Sequence, residues 1–389
     1  MQNRRDFLKT TGLVGTSLMV PKIFHLTSSS SFIGKRLVVL QLSGGNDWLN
    51  TFIPYQSDVY YRERPRLGIK ASEIHKLSDG LGLNPSLIGL ADIYDNGEMT
   101  LFQGVGYPEP NRSHFRSMDI WHTATDGTSY SDQGWLGKWS EKSKINFPSL
   151  EINDGLSLAM KARGGKSIAV ANLNGIKRIT DDRVLQAVAH SHEHEHDMAS
   201  YLYKTATNVT EGANYLSSLI KLDSSSLNYP KSGLGADLKL VAKLIKQDAE
   251  TRVFYTTLSG FDTHANQRGT QDRLLKNVSD SLAAFRSDLK ADGQWDNTLV
   301  MVFSEFGRRV AQNAGGGTDH GTAGNLILLG GDLKKPGVRG AMPSLKDLDH
   351  GDLIYNTDFR SIYAGVLEDW LQLKEANQIL GTELGKVTI

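Results

Sequence analysis

Short apolar runs recur along the chain, and each is followed by a polar or glycine-rich turn. The runs RLVVLQL (36–42) and TLVMVF (298–303) are continuous rather than alternating, which is typical of strands buried on both faces of a sheet. Further runs of this kind are MTLFQGVG (99–106), SIAVANL (167–173), TRVFYTTL (251–258) and NLILLGG (325–331). Together they predict the strands of a central sheet.

Helical periodicity fills much of the sequence between these runs. Residues 271–293 carry apolar side chains on one face of a predicted helix that ends at a glycine. The apolar positions are Leu274, Leu275, Val278, Leu282, Phe285 and Leu289. Residues 357–373 form a second amphipathic pattern, with Asp358 early in the first turn. Because strands alternate with helices, we predict an α/β fold with a mostly parallel central sheet flanked by helices.

The middle of the chain has a different character. Between about residues 181 and 249 the pattern is helical, charged and serine-rich, with little strand character. We predict a helical insertion there, within a single α/β domain over residues 32–389. The insertion contains the tract HSHEHEHD (190–197), whose histidines are spaced i, i+4 and on a helix could chelate a metal. Alternating His and Glu is also typical of a solvated helix face, and we favour that interpretation.

The first 31 residues resemble an export signal. Arg4 and Arg5 precede Phe7, and a short, mildly apolar segment follows. That segment is too short and too polar for a transmembrane helix, and the paired arginines indicate a twin-arginine signal. No small-x-small cleavage site precedes the serines at 28–31. We therefore predict a twin-arginine export signal at 1–31, recognition by the translocation machinery, a periplasmic or extracytoplasmic location, and no stable membrane span.

Composition narrows the chemistry. The 43 basic and 43 acidic residues give no net charge, so no basic surface for nucleic acid is indicated. The chain has no cysteine, which excludes disulfides, thiolate metal sites, a cysteine nucleophile and a formylglycine made from cysteine. The 39 glycines predict many tight turns and loops.

Chemically active residue types follow several of the predicted strands. In chain order they are Asn46 and Asp47, Ser113 and His114, Asp262 and His264, Glu305, Arg308 and Arg309, and then Asp319 and His320 before the last strand. In an open parallel sheet the carboxyl ends of the strands lie along one edge, where ligands bind. We therefore expect these side chains to meet at one site.

Carboxylates and imidazoles in this set indicate a metal site. Asp262 and His264 are spaced i, i+2, so in an extended segment both could reach one ion. Such ligands suit zinc, manganese or iron better than calcium. Asp319 and His320 are adjacent and point oppositely if extended, so one would ligate while the other orients it. A turn aspartate with a hydrogen-bonded histidine is the alternative for each pair.

Ser113 and the paired arginines also have two interpretations each. Ser113 stands at the start of a predicted helix, where serine often serves as N-cap. At the same position its hydroxyl could act as a nucleophile beside backbone N–H groups that bind anions. Arg308 and Arg309 could grip a phosphate or sulfate in bidentate fashion, or could be solvated. The glycines at 315–317 could let a ligand approach closely, or could form a flexible loop.

The ordered motifs resemble a known bacterial family. They are LVVLQLSGGNDWLNT, NRSHF, SGFDTH, SEFGRR, GGTDHG and TDFRSIYAGVLEDWL, after the twin-arginine pattern. In this order they are similar to the domain-of-unknown-function 1501 family, which is related to the alkaline phosphatase and sulfatase superfamily. The resemblance implies an alkaline-phosphatase-like core with a metal site at the carboxyl edge of the sheet.

The resemblance also assigns roles to residues. It implies that Ser113 is the nucleophile, and that one or two divalent ions, zinc or manganese, bind to Asp47, Asp262, His264, Glu305 and His320. The superfamily has an Asp-His pair where this chain has Glu305 and Phe306, and phenylalanine cannot ligate. The sulfatases of that superfamily require a proline two residues after the nucleophile position, and RSHFRS lacks it. Formylglycine chemistry is therefore not expected.

Two functions remain open from the sequence. The first is an exported metal-dependent hydrolase of phosphate or sulfate esters, acting on a small-molecule or glycan ester. Its substrate contacts are predicted to be Asn46, His114, Arg308 and Asp319. The second is a non-catalytic exported protein with the same fold that binds a glycan or an anion. Tryptophans near the candidate loops could stack on sugars, although burial in the core is their commoner place. They are Trp48, Trp121, Trp135 and Trp139.

Overall fold

The computed structural model describes residues 34–189, 198–220 and 227–389. The predicted export signal at 1–31 and the histidine-rich tract at 190–197 lie outside the described residues. The strands are β1 (Arg36–Ser43), β2 (Phe52–Ile53), β3 (His75–Ser78), β4 (Leu81–Leu83), β5 (Met99–Gly106), β6 (Ser149–Ile152), β7 (Ile168–Val170), β8 (Val253–Ser259), β9 (Thr298–Phe303), β10 (Arg308–Gln312), β11 (Thr318–His320), β12 (Gly324–Leu329), β13 (Gly337–Arg339), β14 (Leu348–Asp349), β15 (Asp352–Leu353) and β16 (Thr357–Asp358). The helices are α1 (Trp48–Thr51), α2 (Asp58–Glu63), α3 (Ile88–Asp95), α4 (His114–Thr123), α5 (Trp135–Lys142), α6 (Leu173–Asp181), α7 (Arg183–Ala189), α8 (Met198–Ile220), α9 (Gly233–Lys246), α10 (Gln267–Ala291), α11 (Phe359–Gly365) and α12 (Asn377–Leu380). Short 3₁₀ turns cover Leu158–Met160 and Trp295–Asn297, and a π-helical turn, Val366–Trp370, follows α11.

A central sheet organises the fold, in the strand order β13, β5, β12, β9, β1, β8, β6, β7, with β16 paired to β5. β1 pairs in parallel with both β8 and β9, and β6 pairs in parallel with β8 and β7. β12 runs antiparallel to its neighbours β9 and β5. The sheet is therefore mostly parallel, which confirms the predicted α/β class. Small separate sheets are formed by β10 with β11, by β14 with β15, and by β2, β4 and β3.

The continuous apolar character of the strands follows from burial on both faces. Along β1, Leu37 and Val39 join one apolar cluster, whereas Val38 and Leu40 join another. Side chains of α4, α5 and α11 belong to the first cluster, and side chains of α3, α9 and α10 belong to the second. Because apolar side chains of helices cover both faces, polar groups that follow the strands collect at the sheet edge.

Most predicted strands coincide with observed ones. The apolar runs beginning near residues 36, 99, 251, 298 and 325 correspond to β1, β5, β8, β9 and β12. The run at 167–173 is shorter than predicted, because Asn172 caps α6 by accepting from the backbone of its first turn. Asp358 is the N-cap of α11 rather than a residue of its first turn. β6 was not predicted from the sequence.

The segment between β7 and β8 is helical where the structure describes it. It contains α7, α8 and α9 within residues 181–249. The bounds of the domain and of the insertion remain predictions. Among the described residues, no helix combines the length and the apolar character that a membrane span requires.

Candidate metal centre

Loops that follow three neighbouring strands meet at one edge of the sheet. β9, β1 and β8 lie side by side and run in parallel, so their carboxyl ends point the same way. Gly44 follows β1, Asp262 follows β8, and Glu305 follows β9. The backbone N–H of Gly44 donates to Glu305 Oε1 over 2.8 Å, which joins the first loop to the third. These residues therefore lie together at the edge that the sequence predicted.

A glycine-rich hairpin returns His320 to this edge. β10 and β11 pair so that Arg308 lies opposite His320. Gly316, which has a φ of +70°, forms a β-bridge with Ala265. A Cβ on Gly317 would lie 2.3 Å from a backbone carbon of the loop that follows β8. Only glycines allow the hairpin to pack this closely against that loop.

One carboxylate oxygen lies among three histidines. Asp262 Oδ1 is 3.0 Å from His264 Nε2 and 3.1 Å from His320 Nε2. The same oxygen is 3.4 Å from His114 Nε2. The Nε2 atoms of His264 and His320 are 2.9 Å apart. Ring nitrogens from three distant parts of the sequence thus surround one point, and His114, predicted as a substrate contact, is among them.

In both His114 and His320, the other ring nitrogen, Nδ1, lies close to an oxygen atom of the protein. His114 Nδ1 lies 2.8 Å from Glu305 Oε1. His320 Nδ1 lies 2.8 Å from the backbone carbonyl oxygen of Arg112. When Nδ1–H donates to such an oxygen, Nε2 keeps the lone pair that a metal ion accepts. Glu305, predicted as a metal ligand, is fully buried and lies behind His114 instead.

His264 has a weaker partner of the same kind. Its Nδ1 lies 3.4 Å from Asp319 Oδ1, and Asn313 Nδ2 donates to that carboxylate oxygen over 3.1 Å. Asp319 therefore stands behind His264, whereas its neighbour His320 faces Asp262. Asp319 thus lies where it can orient His264, and because its side chain is 54% exposed, its role as a substrate contact stays a prediction.

The donor atoms fit a divalent cation. His114 Nε2 is buried and has no hydrogen-bond partner among the described residues, which is costly for a polar atom unless something binds it. Ligand atoms of His114, Asp262 and His320 all lie within 4.8 Å of one another. Imidazoles with a carboxylate, each ring fixed from behind, form the type of set that zinc uses.

Local charges keep Asp262 ionised. Partial burial opposes ionisation, but hydrogen bonds from Arg308 and His320 outweigh it and hold the pKa of Asp262 well below its usual range. The hydrogen bond to the Glu305 carboxylate raises the pKa of His114, against the effect of its partial burial. Asp262 is thus an ionised carboxylate beside the imidazoles, with Arg308 as one of its partners.

Residues 100–364 match the model of the family described as "Protein of unknown function (DUF1501)". The chain belongs to this family. The matched region contains all three converging histidines and Asp262, whereas Asn46 and Asp47 lie outside it. No curated protein matched the sequence. The family membership inferred from the motifs is therefore confirmed.

Similar solved structures come from the superfamily that the motifs resemble. They include a protein in the alkaline phosphatase superfamily from Vibrio parahaemolyticus, with 10% identity and a TM-score of 0.37 over 80% of this chain and 63% of that chain. The PsFucS1 sulfatase from Pseudoalteromonas sp. has 12% identity and a TM-score of 0.38 over 84% and 68%. The C-terminal periplasmic domain of EcEptC from Escherichia coli, solved in complex with Zn, has 11% identity and a TM-score of 0.34 over 77% and 74%.

Asp47 is placed differently from the prediction of a metal ligand. Its Oδ2 lies 2.6 Å from Arg64 Nη1, and both side chains are fully buried. The same oxygen accepts from Gln267 Nε2, and Oδ1 accepts from the backbone N–H of Leu49 at the start of α1. Because its oxygens are committed to these donors, Asp47 belongs to a buried structural network of this protein.

Asn46 and Arg308 are also engaged within the protein rather than free to contact substrate. The Asn46 side chain is fully buried and bonds to Thr51. Arg308 donates from Nε to the carbonyl of Gly45 over 2.6 Å and from Nη2 to Asp262 Oδ1 over 2.7 Å. Its guanidinium is buried and ties the loops after β1 and β8 together. The sequence did not reveal this, because an arginine after a strand has the same pattern whether it binds substrate or backbone.

Ser113 and Phe306 border the centre. Ser113 is the exposed N-cap of α4, immediately before His114, and its side chain makes no capping hydrogen bond. The Phe306 ring is buried, with its centroid 4.8 Å from the ring of His114 and 4.8 Å from that of His320. Phenylalanine thus forms an apolar wall against two of the converging histidines.

A pair of arginines near the centre was not recognised as a unit from the sequence. Arg112 Nε lies 3.1 Å from Asp352 Oδ2, and Arg309 Nε lies 3.2 Å from Asp352 Oδ1. Asp352 is only 2% exposed, and desolvation raises its pKa although both arginines oppose the shift. Arg112 and Arg309 are 43% and 34% exposed, so their outer nitrogens can reach a ligand. The position of Arg112 directly before Ser113 was the only signal in the sequence.

The tryptophans considered for sugar stacking are buried. Each of the four is at most 4% exposed. Trp121 stacks on Phe303 and Phe359, and Trp135 stacks on Tyr363, so their faces contact other aromatic rings of the core. These tryptophans are therefore core residues and offer no sugar platform.

Proposed function

We propose that this protein is an exported metal-dependent hydrolase of phosphate or sulfate esters. The observation that supports it most is the convergence of three histidine Nε2 atoms on Asp262, each ring fixed through Nδ1. His114, Asp262 and His320, with His264 beside them, would hold one zinc or manganese ion. When bound, that ion supplies Lewis acidity toward an ester oxygen.

The nucleophile in this proposal is Ser113. Its hydroxyl is exposed and precedes His114 directly, so it lies beside the centre without being committed to a helix cap. Attack forms a bond between Oγ and the phosphorus or sulfur atom and breaks the bond from that atom to the ester oxygen, which leaves as an alkoxide and takes up the proton that the Ser113 hydroxyl loses. Water then cleaves the serine ester and restores the hydroxyl.

Arg112 and Arg309 replace Arg308 as the proposed anion-binding groups. Both are fixed through Nε by the buried carboxylate of Asp352, which leaves their outer nitrogens directed by a rigid support. The backbone carbonyl of Arg112 also accepts from His320 Nδ1, so this arginine is positioned relative to the metal centre. Guanidinium groups suit oxyanions because they bind two oxygens at once.

The test combines metal analysis with turnover. Protein purified from a host with twin-arginine export should contain about one zinc or manganese per chain and should cleave an aryl phosphate or an aryl sulfate. Ser113→Ala should keep the metal and lose turnover, because Ser113 is not among the ligand atoms. Protein that binds no divalent metal and is inert on both esters would falsify the proposal.

A second function, a non-catalytic anion-binding protein, is favoured by one observation. Asn46, Asp47 and Arg308 carry out structural tasks, so the centre has fewer free polar groups than the motifs implied. If this function is correct, wild type and Ser113→Ala should bind phosphate or sulfate equally while neither turns over an ester.

A further inference from the structure

A cavity of about 330 Å³ lies beside the candidate centre. It is formed by the loop after β5, by the start of β12 and by the β14–β15 hairpin. The first of these segments continues into Arg112, Ser113 and His114, and the second begins just after His320. The cavity is therefore built from the same loops that carry the centre.

The β14–β15 hairpin contributes to both places. Its residues Leu348 and Leu353 line the cavity, while Asp352 between them holds Arg112 and Arg309. Asp352 pairs with the side chain of Arg112, and the backbone carbonyl of Arg112 accepts from His320 Nδ1. The two arginines lie outside the cavity lining, so a ligand that extends from the cavity past Asp352 would reach them.

The lining is mostly apolar. Prominent contributors are Tyr107, Pro110, Ala323, Leu353, Ile354 and Tyr355. Tyr107 OH bonds to Ser117 Oγ over 2.8 Å, and Thr322 Oγ1 donates to the carbonyl of Leu353 over 2.6 Å. These two hydroxyls are already satisfied, so apart from the carboxylate of Asp349 the lining offers a sugar few new partners, and burying unpaired sugar hydroxyls is unfavourable. An aryl or alkyl group meets no such cost and removes its own surface from water.

The charged side chains around the cavity favour one orientation of a bound ligand. Asp349, whose side chain is 67% exposed, lines the cavity and disfavours an anion at its position. The two arginines held by Asp352 favour an anion at the side near the centre. An ester with an oxyanion at one end and an apolar body at the other matches this arrangement of charge and apolar surface.

From this arrangement we propose that the cavity binds the apolar, aryl or alkyl, alcohol part of an anionic ester substrate. The inference rests on the proposed function, and it selects esters of hydrophobic alcohols over esters of sugars. The volume is sufficient for a group of one or two aromatic rings, since a cavity of roughly 150 Å³ accommodates benzene.

Binding of 2-naphthol to the full-length protein, measured by calorimetry, tests the cavity without any turnover. Ile354 is 52% exposed and lines the cavity, so Ile354→Asp should fold and should weaken naphthol binding by roughly ten-fold, because it places charge against the ring. Ile88 is 76% exposed on α3, and Ile88→Asp should leave naphthol binding unchanged. Equal binding by wild type and Ile354→Asp, or absence of binding by wild type, overturns the proposal.

Turnover then separates this proposal from the one it rests on. The metal-loaded enzyme should show a KM for 2-naphthyl phosphate, or for the sulfate if that is the active class, roughly ten-fold below that for the methyl ester. Ile354→Asp should remove this preference. An active enzyme without the preference overturns the cavity proposal alone. An inert protein that still binds naphthol overturns the hydrolase proposal and the substrate role of the cavity, but confirms that the cavity binds an apolar ring.

Discussion

Two clusters of charged side chains lie at the same edge of the sheet, but they differ in burial and in hydrogen bonding. Around Asp47, the guanidinium of Arg64 and the amide of Gln267 both donate to the carboxylate, and all three groups are buried. Around Asp262, the side chains are partly exposed, and the buried Nε2 of His114 has no hydrogen-bond partner within the described part of the chain. In the first cluster the charged and polar groups satisfy one another, whereas the second contains ligand atoms that remain available to a metal ion.

The difference shows how a carboxylate after a strand acquires its role. Asp47 meets a cation supplied by its own protein, and the loop after β1 is thereby fixed. Asp262 accepts from Arg308 and also lies against three imidazoles, and imidazole and carboxylate are both common ligands of metal ions. We therefore expect changes in the first cluster to affect the stability of the fold, and changes in the second to affect metal binding.

The largest effect should follow from breaking the buried ion pair. Arg64→Met leaves the Asp47 carboxylate buried without its cation, and removal of one partner of such a pair costs about 3–5 kcal/mol. Urea unfolding in the presence of a chelator measures the change. Asp262→Asn, measured in the same way, should lose less than Arg64→Met does, because asparagine keeps an oxygen for Arg308 and the side chain is half exposed. Equal losses in the two variants would remove the distinction between the clusters.

Removing a converging histidine should have the next largest effect. His320→Ala deletes a proposed ligand and should weaken zinc binding by more than about 100-fold, since loss of an outer partner alone costs up to that much. Zinc titration by calorimetry measures the affinity. His75 lies on the surface beside Asp95, so His75→Ala should bind zinc as the wild type does. Unchanged affinity in His320→Ala would show that the cluster is not a metal site.

His122 is buried outside both clusters, and it tests how the burial of an ionisable side chain makes the stability of the fold depend on pH. Burial lowers the pKa of His122 to about 4, and its Nε2 lies 3.0 Å from Gln41 Oε1. Above pH 6.5 the residue is neutral in both folded and unfolded chains. Between pH 6.5 and 4 only the unfolded chain takes up the proton, so the free energy of unfolding should fall, by about 3 kcal/mol at most.

The pH dependence is measured against His122→Gln by urea unfolding across that window. The variant should lose less stability on acidification, because it has no imidazole at this position to protonate in the unfolded chain. Parallel curves for the two proteins would mean that other groups account for the whole acid sensitivity.

The smallest effect should come from the group behind His114. Glu305→Gln keeps an acceptor oxygen for Nδ1 but removes the charge, and should weaken zinc binding by roughly 10- to 100-fold. Glu151 is buried to a similar degree on β6, where it accepts from the backbone of Ser157. Glu151→Gln should leave zinc affinity unaltered. If both variants bind zinc like the wild type, Glu305 is structural only.

Much of the fold was predictable because its signals are local. A continuous apolar run marks a strand buried on both faces, as in β1 and β9, and the strand ends indicate where Asp262 and His264 lie. The segment that became β6 (Ser149–Ile152) escaped notice because its sequence, SLEI, contains a glutamate that the core accommodates through Ser157. Propensity alone does not reveal a partner several residues away.

The roles within the centre depended on partners that sequence spacing does not display. Asp47 and Asp262 follow strands in the same manner, and only the fold shows that one faces Arg64 and the other faces histidines. Glu305 was placed correctly at the edge, but its position behind His114 depends on contact with a residue 191 positions away. Sequence spacing predicted which residues lie at the edge of the sheet, whereas the contacts made in the fold determine what each of them binds.

The way in which the hairpin brings His320 to the edge has a consequence for handling the protein. Its Nδ1 bonds to a carbonyl 208 residues earlier, and its Nε2 meets His264, 56 residues earlier. No short fragment of the chain therefore contains the centre, and the unfolded chain holds these donors far apart. Tight zinc binding would then report on the whole native fold, so that a metal titration could serve as an assay of correct folding for any variant in which the ligands are unchanged.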